Sequence, residues 1–222
     1  VAAHLEQIEN EYRAAQAEEK TDPALAEESR QWVTKLQSGD PQALKIWEIV
    51  RGGTLQACQT IYDQLGVKLC EADVRGESFY NDKLAETVND LRTRLENGTA
   101  ATVRMDQGAL CVFHFDEKGQ PRYKGPDGNA LPMIIQKSDG AYLYATTDLA
   151  AVRFRSGELE ADRIVYVTDA RQALHFEMIF TTVRSAGWTK QADGEVRLQH
   201  VTFGSVLGED RKMLRTRSGE SV

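Results

Sequence analysis

Tyr144 and Asp148 stand four positions apart in Q-K-S-D-G-A-Y-L-Y-A-T-T-D-L-A-A, the stretch from Gln136 to Ala151. An apolar run (Leu131, Met133, Ile134, Ile135) enters its S-D-G turn, a strand-like run over Ala141–Ala145 leaves it, and a helix start follows. A phenol and a carboxylate at that handover suit a planar cation, because a carboxylate takes a guanidinium through two parallel hydrogen bonds. A packed tyrosine and an aspartate serving a helix N-terminus would read the same way. Glu77, in V-R-G-E-S-F-Y-N, adds a second carboxylate, although solvent is the ordinary place of a loop glutamate. Two carboxylates facing an empty site repel each other, and a bound guanidinium neutralises them. A lysine ammonium, which lacks the planar fork, would fit less well.

Gln172 follows the apolar run Ile164–Val167, and its amide can accept from an ammonium and donate to a carboxylate. His175 lies three positions further on and shares its helical face. Each also reads as a helix-surface or structural residue. His200–Leu207, H-V-T-F-G-S-V-L, ends a strand in a glycine, as a core strand and turn would. The loop from Gly208 to Gly219 carries Arg211, Lys212, Arg215 and Arg217, mobile cations suited to a pyrophosphate leaving group or simply to solvent. The chain contains no G-x-x-x-x-G-K-[ST] loop, no spacing of metal ligands and no Ser/His/Asp or Cys/His nucleophile arrangement.

The elements that must hold these residues fall into two regimes. The first part is helical. Leu5, Ile8 and Tyr12 have helical spacing, and Asp22-Pro23 and Asp40-Pro41 are N-caps followed by first-turn prolines. Leu25, Trp32, Val33 and Leu36 make one face before Gly39. A further helix runs from Pro41 towards Gly66, with a kink expected at Gly52-Gly53. Val67–Cys70 reads as a short strand, Ala72–Tyr80 as a loop and Asn81–Glu96 as a helix. The period then changes. Thr102–Met105, Leu110–Phe115, Leu131–Gln136 and Ala141–Ala145 read as strands between Gly, Asp and Pro turns. Thr146–Ser156 and Ala170–Gly187 are helical, and Arg163–Thr168 and Leu198–Phe203 are strands. Strand, helix, strand from Arg163 onward is a parallel βαβ pattern.

Composition sets limits on partners. The chain of 222 residues is 41% hydrophobic and 27% charged, an ordinary globular balance. No apolar run approaches the roughly 20 residues of a membrane span, and no signal peptide opens the sequence. Cys58, Cys70 and Cys111 are far apart, which favours free thiols in a reducing cytoplasm. The net charge of −7 opposes a general nucleic-acid coat, yet it is uneven. Residues 1–40 hold nine acids against four bases, whereas residues 211–217 hold four bases.

The wording of Gln136–Ala151 resembles the catalytic domain of the arginyl-tRNA synthetases, which are class I aminoacyl-tRNA synthetases. Val74–Asn81, Val165–Phe176 (V-Y-V-T-D-A-R-Q-A-L-H-F) and His200–Gly219 carry the resemblance along most of the chain, in order. The resemblance implies an α/β fold: the second half of a Rossmann-type parallel sheet, with an inserted small α/β module and a leading helical insertion. The expected partition is a helical insertion over 1–46, a Rossmann helix and strand segment over 47–77, the inserted module over 78–141 and the second Rossmann half over 142–222. By the same resemblance Glu77, Tyr144 and Asp148 read the arginine side chain, Gln172 contacts its head group, and His175 belongs to the arginine site because the family carries a histidine in this place. His200, Phe203, Gly204 and Val206 receive adenine. Lys212, Arg215, Thr216, Arg217 and Ser218 form a degenerate version of the K-M-S-K-S signature, in which Lys212, Arg215 and Arg217 act on the phosphates.

The implied activity is ATP-dependent activation of L-arginine and its transfer to tRNA(Arg), in a monomeric cytoplasmic protein. Mg²⁺ would come with ATP and not through a protein-built site. The H-I-G-H-like first signature and the anticodon-reading helical domain are not in this sequence, so it reads as a fragment that is inactive alone. The alternatives are a non-catalytic synthetase-like module that binds arginine or tRNA, and another class I ligase with a different pocket. Glu77, Tyr144 and Asp148 together argue against the second, because a neutral substrate would leave the carboxylates without a partner.

Overall fold

A computed structural model describes residues 2–192 and 194–204. It divides into two compact units, one containing residues 1–74 and the other residues 75–204.

The first unit is built from three helices, α1 (Ala2–Glu19), α2 (Pro23–Gln37) and α3 (Pro41–Leu65). The Asp22 carboxylate accepts from the backbone N–H groups of Ala24 and Leu25, and that of Asp40 accepts from Gln42 and Ala43. Each such cap is worth about 1 kcal/mol. Helix α3 runs through Gly52-Gly53 without interruption and closes on Gly66, whose φ of 68° is the left-handed conformation that glycine adopts freely. Val67–Cys70 is not a strand: it pairs with no strand among the described residues, its ends bonding instead to Tyr62 and Asp73.

The second unit opens with a 3-10 segment, Glu77–Lys83, which runs into α4 (Leu84–Leu95). The regular helix thus starts later than its apolar spacing suggests, and Glu77 sits in a helical first turn and not in a loop. An antiparallel sheet follows, in the order β1 (Ala101–Asp106), β2 (Ala109–His114) and β3 (Met133–Gln136). Gln107 and Gly108 join β1 to β2, both at positive φ (46° and 82°), which matches the twist of a two-residue hairpin. The chain then makes α5 (Tyr144–Gly157), β4 (Arg163–Asp169), a 3-10 turn over Ala170–Gln172 and α6 (Ala173–Ser185). The short antiparallel pair β5 (Lys190–Gln191) and β6 (Gly194–Glu195) precedes β7 (Arg197–Phe203). Strands β4 and β7 are parallel, with Ile164 opposite Leu198 and Tyr166 opposite His200.

Ala141–Ala145 is a second correction. The segment is extended only as far as Leu143, and the helix begins at Tyr144. Thr146 decides this: its hydroxyl donates to the Ile135 carbonyl and so ties the first turn of α5 to β3. The helix expected over Ala170–Gly187 is likewise divided, because the Asp169 carboxylate caps the Arg171 N–H at 2.8 Å and a tight turn comes before α6.

One core joins α4, β1–β3, α5 and α6, with Leu91, Val112, Ile135, Leu149, Ile179 and Val183 fully buried in it. Asp90 of α4 ties the periphery together. It accepts the Trp188 indole N–H at 2.7 Å, its two oxygens share the single N–H of Arg94 Nε, and Arg153 of α5 lies 3.7 Å away. His114 is buried at the other side of this core, with Nε2 2.7 Å from the Thr182 hydroxyl. That hydroxyl also lies 2.9 Å from the Met178 carbonyl; if it donates there, the neutral imidazole carries its proton on Nε2. Nδ1 is then a bare acceptor, and it has no partner among the described residues.

Candidate active site

Ligands of open parallel sheets lie beyond the carboxyl ends of the strands. Here those ends are Asp169 of β4 and Phe203 of β7; α6 packs against β7, and α5 packs against α6. The sheet face that α6 covers carries Tyr166, Thr168 and His200.

Asp148 and His175 meet directly: Nε2 of the imidazole is 2.7 Å from Oδ2 of the carboxylate. Both side chains are about a third exposed, at 29% for Asp148 and 31% for His175, so the pair stands at a surface open to a ligand. Asp148 comes from the second turn of α5 and His175 from the first turn of α6. A carboxylate can only accept, so the imidazole donates from Nε2.

Phe176 is the buried centre of the neighbourhood. Its ring lies 5.1 Å from that of His175, 4.5 Å from Tyr166 and 4.9 Å from His200. The ring nitrogen Nε2 of His200 meets the Thr168 hydroxyl at 2.7 Å, which fixes the imidazole across the two parallel strands. The Tyr166 hydroxyl accepts from Nη1 of Arg155 at 2.8 Å, and the guanidinium also lies over its ring. Burial pushes the Tyr166 phenol up to about 12; Arg155 opposes that shift, while Asp148 and Tyr80 add to it. The Tyr80 hydroxyl is buried and unpartnered among the described residues. Phenols, a carboxylate, an imidazole and a guanidinium therefore share one patch.

The remaining expected residues are placed less closely. Tyr144 is the first residue of α5 and is 69% exposed. Glu77 and Gln172 are exposed as well, Gln172 immediately before α6. Phe203 ends β7 and Gly204 follows it, both exposed. Val206, Lys212, Arg215, Thr216, Arg217 and Ser218 lie outside the described residues.

Tyr166, Arg155, Thr168, Phe176 and Tyr80 did not emerge from the sequence as site residues. Tyr80, Tyr166, Thr168 and Phe176 sit inside the stretches that carried the resemblance; for Tyr80, Tyr166 and Phe176 the aromatic ring was the available signal. Arg155 had none, since its contact with Tyr166 crosses from a helix to a strand. Among the described residues no group of three His, Cys, Asp or Glu side chains could hold a metal ion, and no helix is long and apolar enough to cross a membrane.

Known proteins with this sequence pattern point the same way. The chain is 44% identical over 220 residues to an arginine–tRNA ligase of Ectopseudomonas mendocina and 45% identical over 215 residues to one of Idiomarina loihiensis. It aligns over 99% and 97% of its own length but spans only 35% and 34% of theirs. The crystal structure of the arginyl-tRNA synthetase of Plasmodium falciparum superposes with a TM-score of 0.64 at 27% identity, over 83% of this chain and 29% of that one. The Thermus thermophilus arginyl-tRNA synthetase shares the fold, with a TM-score of 0.55 at 18% identity over 88% of this chain and 34% of that one. The family described as tRNA synthetases class I (R), catalytic domain, matches residues 1–222, and the chain belongs to it.

Proposed function

We propose that the parent protein activates L-arginine with ATP and transfers the arginyl group to tRNA(Arg). Asp148 carries this reading: a carboxylate held by an imidazole, near the half-buried Tyr166 phenol and open to solvent, suits a guanidinium. Tyr144 and Glu77 would complete the side-chain pocket, and Gln172 would take the ammonium and carboxylate end. Both carboxylates are then supplied with a cation only when arginine is bound.

In the first step the arginine carboxylate attacks the α-phosphorus of ATP, an O–P bond forms, and pyrophosphate leaves with the electrons of the broken bond. In the second, a hydroxyl of the terminal tRNA ribose attacks the acyl carbon and AMP leaves. The protein would supply position and charge in both steps. His200, Phe203, Gly204 and Val206 would border the adenosine. Lys212, Arg215 and Arg217, with Thr216 and Ser218, would meet the phosphates. Mg²⁺ would enter on the nucleotide and screen the phosphate charge there.

We further propose that β4 and β7 belong to a Rossmann-type sheet, with 1–46 a helical insertion, 47–77 a helix and strand segment, 78–141 an inserted module and 142–222 the second half. Their parallel pairing with α6 between them supports this.

The test is Asp148→Asn in the full-length parent. Arginine kcat/KM should fall by two to three orders of magnitude, roughly the 3–5 kcal/mol of a broken buried pair discounted for partial exposure. ATP binding should stay within about twofold. Near-normal arginine use would reduce Asp148 to a helix residue, and arginine binding without adenylate formation by the parent would favour the non-catalytic alternative.

A further inference from the structure

We propose that His175 is a positioning residue: its Nε2–H holds Oδ2 of Asp148 and sets the rotation of the carboxylate, so that the opposite oxygen faces the ligand cation before the ligand arrives. The proposal rests on the reading that Asp148 receives a guanidinium.

The contact of 2.7 Å is as short as charge-assisted hydrogen bonds are. The imidazole is itself anchored. It stands edge-on to Phe176, with the planes at 79°, and Phe176 is only 2% exposed and packed against Tyr166, Phe180 and His200. A histidine whose ring rests on a buried ring cannot swing as a free surface group does. Its donor therefore has a fixed address, and Asp148 takes its orientation from α6 and not from its own helix.

This matters because the terminal torsion of an aspartate is broad and nearly two-fold. Left alone, the carboxylate of Asp148, about a third exposed, would sample many rotations, and a planar fork could bind only the fraction correctly turned. Holding it in advance removes that ordering cost from ligand binding. His175 also occupies a lone-pair site on Oδ2, which leaves Oδ1 as the fully available oxygen. A cation with several coplanar N–H groups then needs further acceptors, and the exposed Glu77 is the available second carboxylate in this chain's motif. His175 acts through Asp148 and does not read the head group.

The experiment uses the full-length parent and arginine-dependent ATP–pyrophosphate exchange. His175→Ala should raise the arginine KM about ten- to a hundredfold, the range for losing a hydrogen bond to a charged group, with the ATP KM unchanged. His175→Gln, whose side-chain amide can place an N–H where Nε2 was, should recover most of that loss. In an Asp148→Asn background, His175→Ala should add little, because the two act as one unit. Arginine KM unchanged in His175→Ala, while Asp148→Asn is damaged, overturns the positioning role and leaves the guanidinium site standing. Equal rises for arginine and ATP, no recovery in His175→Gln, or full additivity with Asp148→Asn also overturn it. Normal arginine use in Asp148→Asn itself sinks the underlying reading instead.

Discussion

His114 shows at the level of one residue how the surroundings decide protonation. Burial is the main cause that lowers its pKa to about 4, and Arg122 adds to it. With the neutral ring's proton on Nε2 towards Thr182, acid adds the second proton at Nδ1, where a buried N–H finds no acceptor among the described residues. Between pH 6.5 and about 4 the unfolded chain binds that proton and the folded chain does not. Stability from this group is therefore full above pH 6.5 and is lost as pH falls towards 4, by about 3 kcal/mol at most. Urea midpoints measured across that window should drop in the wild-type chain and drop less in His114→Leu; parallel curves would show that His114 does not carry the dependence. The individual contacts of the site were the least legible part of the sequence. Asp148 and His175 are 27 positions apart and Arg155 and Tyr166 are 11 apart across two elements, and no local period reports such pairs.

Elements were legible where a chemical signal marks their ends. Asp22-Pro23 and Asp40-Pro41 begin helices because the aspartate accepts backbone N–H groups that proline does not need, and both caps are present. The extended run Ala141–Leu143 was misread because alternation describes one strand alone, whereas a strand exists only with a partner. The link from α4 to β1 rests on a close approach. A Cβ at Gly98 would fall 2.1 Å from the Ala101 carbonyl oxygen, a backbone atom that cannot rotate away. Gly98→Ala should cost about 1–3 kcal/mol by overpacking. Gly157→Ala at the end of α5, where nothing lies within 4 Å, should cost little and serves as the control. Equal denaturation midpoints for the two variants would mean that the α4–β1 turn adjusts freely.

At the scale of the whole molecule, the parallel pair β4–β7 has one face covered among the described residues, by α6. Val165, Val167, Val201 and Phe203 on the other are 42%, 61%, 40% and 53% exposed. Parallel sheets are ordinarily buried on both faces, and the chain spans about a third of the length of its curated relatives (35%). On the Rossmann reading, further chain of the parent covers this face. Val167→Glu should then leave the thermal midpoint of the 222-residue chain within about 1 °C and lower that of the full-length parent by several degrees, since a buried unpaired carboxylate costs more than an exposed one. The same small shift in both would mean that this face stays open.

Of the three tryptophans, Trp188 alone belongs to residues 75–204, and only 8% of it is exposed, with its indole N–H on Asp90. Trp32 and Trp47 belong to the helical unit and are half-buried. The chain thus carries a separate optical gauge for each unit. With Trp32 and Trp47 replaced by phenylalanine, the remaining emission follows the clamp between α4 and the end of α6, and the loosening of the unit that holds the candidate site can be watched apart from the melting of the helices.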